Sequence, residues 1–238
     1  MNFTFGVICR EDAAQRIKDI HASISSQIPE QNYELLVIGN PQGLDTLLPN
    51  TRIIGFDENQ KKAWITRKKN IITQQAKFEN IVYMHDYLIL DPKWYEGWLA
   101  FGNDFKVAMN KISNKDGTRF RDWCLWVDQP VIDTLAAVGA GTHACLIPYE
   151  EEELTRFQYF SGAYWVAKKH VMEECPLDER LCWGDGEDVE WSKVVRARYK
   201  LSMNKNSGVT ITRDGKFSTF YDIGVHYKQI KDKLLGRS

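Results

Sequence analysis

The 238-residue chain has no apolar run near the ~18 residues that a membrane-spanning helix needs, so no transmembrane segment is expected. It also lacks an excess of either charge: 31 Lys+Arg stand against 32 Asp+Glu, for a formal net charge of −1. That balance argues against binding to nucleic acid by bulk electrostatics and leaves only local patches for such a role. Cysteine is scarce and scattered. Cys9, Cys124, Cys145, Cys175 and Cys182 form no C-x-x-C pair and show no zinc-ligand spacing, and they read as buried thiols of a reducing compartment. No basic segment precedes the strand-like Met1-Asn2-Phe3-Thr4-Phe5, so a secretory leader is not expected and a cytoplasmic location is. Without a linker, low-complexity tract or internal repeat, residues 1–238 read as one domain.

What the chain does contain is an ordinary globular composition, 43% hydrophobic and 26% charged, with a generous 12% of aromatic residues. Many of these belong to a core, but tryptophan is also common where a protein stacks on sugars or bases. The first half alternates strand and helix signals. Apolar runs at Phe3–Ile8, Tyr33–Ile38, Thr51–Phe56 and Ile81–Met84 predict strands, while Ala13–Ile28 and Ile65–Lys77 predict helices. This is the βαβ order of a mostly parallel sheet. In such sheets ligands sit beyond the carboxyl ends of the strands, where Cys9-Arg10-Glu11, Gly39-Asn40 and His85-Asp86 fall. The second half predicts strand pieces over Val107–Leu125 and a strand over Phe160–Val166. Helices are predicted near Lys168–Cys175 and from Gly184 to about Tyr199, and a Lys-rich helical segment closes the tail. The acidic run Glu150–Glu153 reads as a solvated loop.

Three places carry chemistry. Asp86 ends an apolar strand, where a carboxylate can hold a divalent cation against a diphosphate, or can simply cap a turn. In Trp183-Gly184-Asp185-Gly186-Glu187-Asp188, glycines admit a close ligand and two adjacent acids open a helix, placed either to cap it or to act as general base. His226 follows a strand near the C-terminus and is either a packed residue or a metal donor.

In this order the segments resemble the GT-A fold nucleotide-sugar glycosyltransferases, closest to the large family-2-like group. The resemblance rests on Phe5–Glu11, Ile38-Gly39-Asn40, Thr66-Arg67-Lys68-Lys69-Asn70, the Asp86 strand end, Ser161-Gly162-Ala163-Tyr164-Trp165 and Glu187-Asp188. It implies an α/β architecture: a mostly parallel Rossmann-like central sheet flanked by helices, with a smaller acceptor-side sheet. Residues 1–100 would form the nucleotide-sugar half and 101–238 the acceptor half. It further implies metal-assisted inverting transfer from a UDP-sugar or similar donor to a hydroxyl acceptor, with Mn²⁺ or Mg²⁺ held by Asp86 and His226. Asp188 would be the catalytic base, with Glu187 beside it. Cys9, Arg10, Gly39, Asn40, Lys69, Asn70, His85 and Asp86 would meet the donor, and Gly162, Trp165 and Trp183 the acceptor, with Trp191 a further candidate for a sugar-stacking wall. The D-x-D signature is incomplete, because Met84 and Leu88 stand where a second acid belongs.

Two rival readings keep the fold. One is a non-catalytic nucleotide-sugar or glycan binding module, motivated by the incomplete signature. The other is a transferase acting on modified nucleic-acid bases, permitted by basic clusters at Lys61-Lys62 with Arg67-Lys68-Lys69 and at Lys228, Lys231, Lys233 and Arg237, and disfavoured by overall neutrality. The same C-terminal lysines would also suit peripheral contact with anionic lipid at the inner face of a membrane.

Overall fold

The computed structural model describes residues 1–44, 48–126, 144–214, 221–222 and 227–237. Strand β1 (Phe3–Ile8) is buried along its whole length and alternates its side chains between two helical layers. Phe3 and Phe5 meet Trp94 of α3 (Trp94–Phe101) on one face, with ring centroids 5.0 and 5.3 Å apart. On the other face Gly6 lies under Ile72 of α2 (Ile65–Gln75), where an added Cβ would come within 2.2 Å of the isoleucine side chain. Helix α1 (Ala14–Ser25) and its C-terminal extension bond into the segment between β5 (Leu88–Leu90) and α3, through Ser23 to Leu90 N and Gln27 to Asp91 O.

The central sheet has eight strands in the order β3-β2-β1-β4-β10-β6-β11-β5. Strands β3 (Thr51–Ile54), β2 (Tyr33–Ile38), β1 and β4 (Asn80–His85) are parallel. Beyond them, β10 (Tyr164–Lys168) runs antiparallel to both β4 and β6 (Val107–Ser113), β11 (Leu201–Ile211) runs parallel to β6, and β5 closes the edge antiparallel to β11. A second, four-stranded sheet has the order β12-β8-β7-β9, from β7 (Cys124–Trp126), β8 (Ala144–Leu146), β9 (Gln158–Tyr159) and β12 (Tyr221–Asp222). Helices α4 (Lys169–Glu174), α5 (Glu187–Arg196) and α6 (Tyr227–Leu234) complete the described elements. The expected α/β architecture with a smaller second sheet is therefore what forms. Among the described residues no helix is long and apolar enough to cross a membrane.

Two sequence expectations change. The strand predicted over Phe160–Val166 is broken: β9 stops at Tyr159 and β10 starts at Tyr164, because the intervening backbone turns to meet α5. The acidic run is not a free loop. Glu151 and Glu153 hold Lys231 at 3.0 and 2.6 Å, Glu153 also holds Arg237 at 2.7 Å, and Ile230 and Leu234 bury the apolar face of α6 beside them. Part of the C-terminal basic cluster is thus used internally. In the other cluster Lys68 and Lys69 are buried, Arg67 pairs with Glu179 and Lys61 bonds to Glu179 O and Arg180 O, while Lys62 is exposed.

Helix α3 packs on β11 through Gly97, whose missing side chain lets the two backbones approach. A Cβ there would lie 2.3 Å from Asn206 O and 2.3 Å from Ser207 Oγ. Gly97→Ala should cost at least ~1–3 kcal/mol, the range for overpacking a filled core, read as a lower urea midpoint at unchanged slope. An unchanged midpoint would show that the close approach is not needed.

Candidate active site

The parallel strands bring their carboxyl ends to one rim. Ile8 is level with Ile38 on one side and His85 on the other, so Cys9-Arg10, Gly39-Asn40 and His85-Asp86 emerge together. From β1 the chain winds outward through β2 and β3, then returns to β4 on β1's other flank. The β1/β4 gap is therefore a topological switch point, the crevice where open α/β sheets take ligands.

The rim continues onto β10. Met84 pairs with Tyr164, and His85 N donates to Ala163 O at 3.1 Å. One residue further along each chain stand Asp86 and Gly162. Gly162 N donates to Asp188 Oδ2 at 2.7 Å, while Asp188 Oδ1 accepts from Val189 N at 2.9 Å. A Cβ on Gly162 would stand 3.2 Å from Glu187 Oε1 and 3.3 Å from Asp188 Oδ2. The two acids at the start of α5 thus bracket the glycine opposite Asp86, and Tyr87 lies within electrostatic reach of both Asp86 and Asp188. The strand end that carries Asp86 and the helix-leading acids thus meet the same backbone turn, at Ala163 and Gly162.

Lys69 lies behind that turn. It is 1% exposed, donates from Nζ to Gly162 O at 2.8 Å and sits 4.4 Å from the Trp165 ring centroid. Burial lowers its pKa to about 8, against the opposing pull of Glu187 and Asp188. Glu187 is buried and its carboxyl is pushed up, by desolvation first and Asp188 second, with Lys69 acting the other way. His85 is driven well below its ordinary value by burial and then by the charges of Lys69 and Arg213, so its ring is neutral near pH 7.

Several residues expected to touch ligand are committed elsewhere. The Lys69 ammonium is buried and given to Gly162 O. Asn70, 6% exposed, bonds to Leu177 O, Leu177 N and Glu179 Oε1, and Thr66 bonds to Leu181 O. The basic-plus-Asn stretch of α2 therefore grips the segment leading to Trp183 and α5. Asn40 clasps Phe56 through both backbone groups, by a bond from its Nδ2 to Phe56 O and one from Phe56 N to its Oδ1. The Cys9 thiol is buried and pushed up to about 12, which excludes a thiolate there, and Cys9 O accepts from Lys68. Trp165 is fully buried between Tyr83 and Trp191, and Trp191 is itself buried, so neither presents a face to a sugar. Trp183, by contrast, is 67% exposed beside Gly184, and Arg10 is exposed at the rim. Gly39 works through its backbone: a Cβ would lie 2.6 Å from Cys9 O.

Arg16 belongs to no sequence motif. From the first turn of α1 it donates Nε and Nη2 to Asp86 Oδ2 at 3.2 and 2.9 Å, and Nη2 to Asp12 Oδ1 at 2.9 Å. This bears on the cation that the fold family implies. Asp86 is the single acid of the incomplete D-x-D, and its carboxylate already holds a guanidinium. Two like unit charges about 4 Å apart repel by roughly 4 kcal/mol at an effective dielectric near 20, and a divalent ion doubles that. His226 lies outside the described residues, and among those described no three His, Cys, Asp or Glu side chains converge. The described residues do not fit a divalent cation.

Comparison with known proteins places the architecture. No family model matches the chain, and no curated protein matches it. Solved structures do. S. aureus TarS shares 12% identity at a TM-score of 0.64, over 100% of this chain and 43% of that one. GalNAc-T7, solved with UDP, GalNAc and Mn²⁺, shares 13% identity at 0.63, over 98% of this chain and 48% of that one. S. aureus TarS 1-349 in complex with UDP aligns at 0.61 with 13% identity, over 100% and 71%. The chain spans less than half of the first and second of these structures. The fold is GT-A, the fold these structures share.

The bracketed glycine gives a test. Gly162→Ala should push Glu187 and Asp188 aside by a few tenths of an ångström, leaving the melting temperature within a few degrees while weakening any activity of the site about tenfold. Unaltered activity would show that the acids need not stand where they do.

Proposed function

We propose that the protein transfers a sugar from a nucleoside-diphosphate donor to a hydroxyl acceptor by inverting displacement. The observation that carries this reading is the Asp188–Gly162 contact opposite Asp86 at the switch point. Nucleotide and diphosphate would occupy the β1/β4 crevice beside Arg10, and the sugar would lie over Gly162. Each oxygen of Asp188 accepts one backbone N–H and keeps lone-pair capacity for an acceptor hydroxyl. Asp188 takes that proton as the oxygen attacks the anomeric carbon and the nucleoside diphosphate departs from the opposite face. Glu187 stands beside the base, against the same glycine, as a contact for donor or acceptor. Trp183 offers an exposed ring for acceptor stacking, consistent with a glycan acceptor and a role in polysaccharide synthesis.

UDP is the favoured nucleotide because the TarS and GalNAc-T7 structures hold UDP or UDP-GlcNAc. A hexosyl or pentosyl donor is the corresponding class. GalNAc-T7 also holds Mn²⁺, and a divalent cation would supply charge to the leaving diphosphate. Since the described residues do not fit one, every step above uses the chain's own groups. The non-catalytic alternative shares the fold and predicts binding without turnover.

Asp188→Asn should lower turnover at least ~10²-fold across a panel of UDP- and GDP-sugars, with the circular dichroism spectrum intact. Wild-type turnover in that variant would remove Asp188 from the reaction. Lys69 adds a pH signature. Its proton leaves near pH 8, taking with it the charge that holds Gly162 O and faces Glu187, so activity should fall through that pH. The stability linkage runs the other way. With a folded pKa of about 8 below an ordinary 10.5, the cost of burying the charge is complete below pH 8 and relieved as pH rises towards 10.5. Activity lost above pH 8 without unfolding, and no such limb in Lys69→Met, is the expected pair. An identical limb in the variant would assign it to another group.

A further inference from the structure

The misfit between Asp86 and a divalent cation has a positive counterpart. Arg16 stands at the switch point with its guanidinium shared between two unequal carboxylates. Asp86 is 8% exposed and takes both Nε and Nη2 on Oδ2. Asp12, whose side chain is 69% exposed, takes Nη2 at 2.9 Å and Nη1 only at 3.5 Å. The buried partner fixes the direction of the guanidinium. The exposed one is open to solvent, which screens it. Arg16 keeps 32% of its side chain exposed.

We propose that Arg16 is the resident cation for the donor's diphosphate: it exchanges Asp12 for phosphate oxygens while Asp86 keeps it aimed, so nucleoside-diphosphate binding needs no divalent metal. This rests on the donor class assigned above. A guanidinium matches phosphate geometry through paired N–H donors, and a diphosphate outcompetes a single screened carboxylate for them. Arg10 at the rim adds a second positive charge. Lys68 does not, because it is buried and held by Cys9 O and Glu58. In this arrangement Asp86 is a positioning residue acting through Arg16.

Titration calorimetry of the full chain with UDP, in EDTA and again with Mn²⁺, tests the exchange, with uridine as the phosphate-free control. The expected dissociation constants for UDP agree within about threefold between the two conditions. Arg16→Gln should weaken UDP at least ~10-fold and leave uridine unchanged, and Arg16→Lys should recover part of the loss. Asp12→Asn, an exposed change that leaves the core intact, should tighten UDP about threefold or more by releasing the guanidinium. UDP binding seen only with Mn²⁺ overturns the proposal, and so does unchanged UDP affinity in Arg16→Gln or Asp12→Asn. Those outcomes leave the donor assignment standing. A wild-type chain that binds neither UDP nor GDP in either condition overturns the donor assignment together with the proposal.

Discussion

Everything at the rim depends on how residue 162 is held. Its N–H is given to Asp188, and its carbonyl is taken by the buried ammonium of Lys69. A buried cation is costly unless it is paired and hydrogen-bonded. Here it faces Glu187, Asp188 and the carbonyl, with the Trp165 ring beneath. Through this one residue the helix α2, the edge of β10 and the start of α5 are fixed to one another. The proposed transfer would require that rigidity, because a base must stand within hydrogen-bond reach of the proton it removes.

The sheet supplies the other half of the geometry. Its switch lies between β1 and β4, and the register carries the rim at their carboxyl ends on to the turn at Gly162. The packing that holds the register is aromatic on one face, with Phe3 and Phe5 against Trp94 and Trp98, and intimate on the other, with Gly6 beneath Ile72. Charge is then distributed by burial. Lys69 and Glu187 are shielded and shifted, whereas Arg10 and Trp183 stay open to solvent.

The parallel half was readable because buried parallel strands are continuous apolar runs, as in FTFGVI and YELLVI. Strand β11 was not, since LSMNKNSGVTI reads as polar. Its buried Asn204 and Ser207 are satisfied by Gly97 O and Trp94 O, partners that exist only after α3 has packed. At the site, Asp86, Gly162, Glu187 and Asp188 could be singled out from chain order and local chemistry. The committed roles of Asn40, Lys69 and Asn70 could not, because each bonds to backbone far away in sequence. Trp165 and Trp183 look alike as letters, and only burial separates them. Arg16 carries no motif, although its position on a helix that follows the first rim loop was a usable signal.

In the proposed reaction one activated sugar would lie between the β1/β4 rim and the acids leading α5. A crystal structure of the chain soaked with UDP measures this directly. The account predicts the diphosphate over the Cys9-Arg10 and Asp86 rim with its terminal phosphate directed towards Gly162. A nucleotide seated elsewhere, with Asp188 facing away from it, would contradict the account.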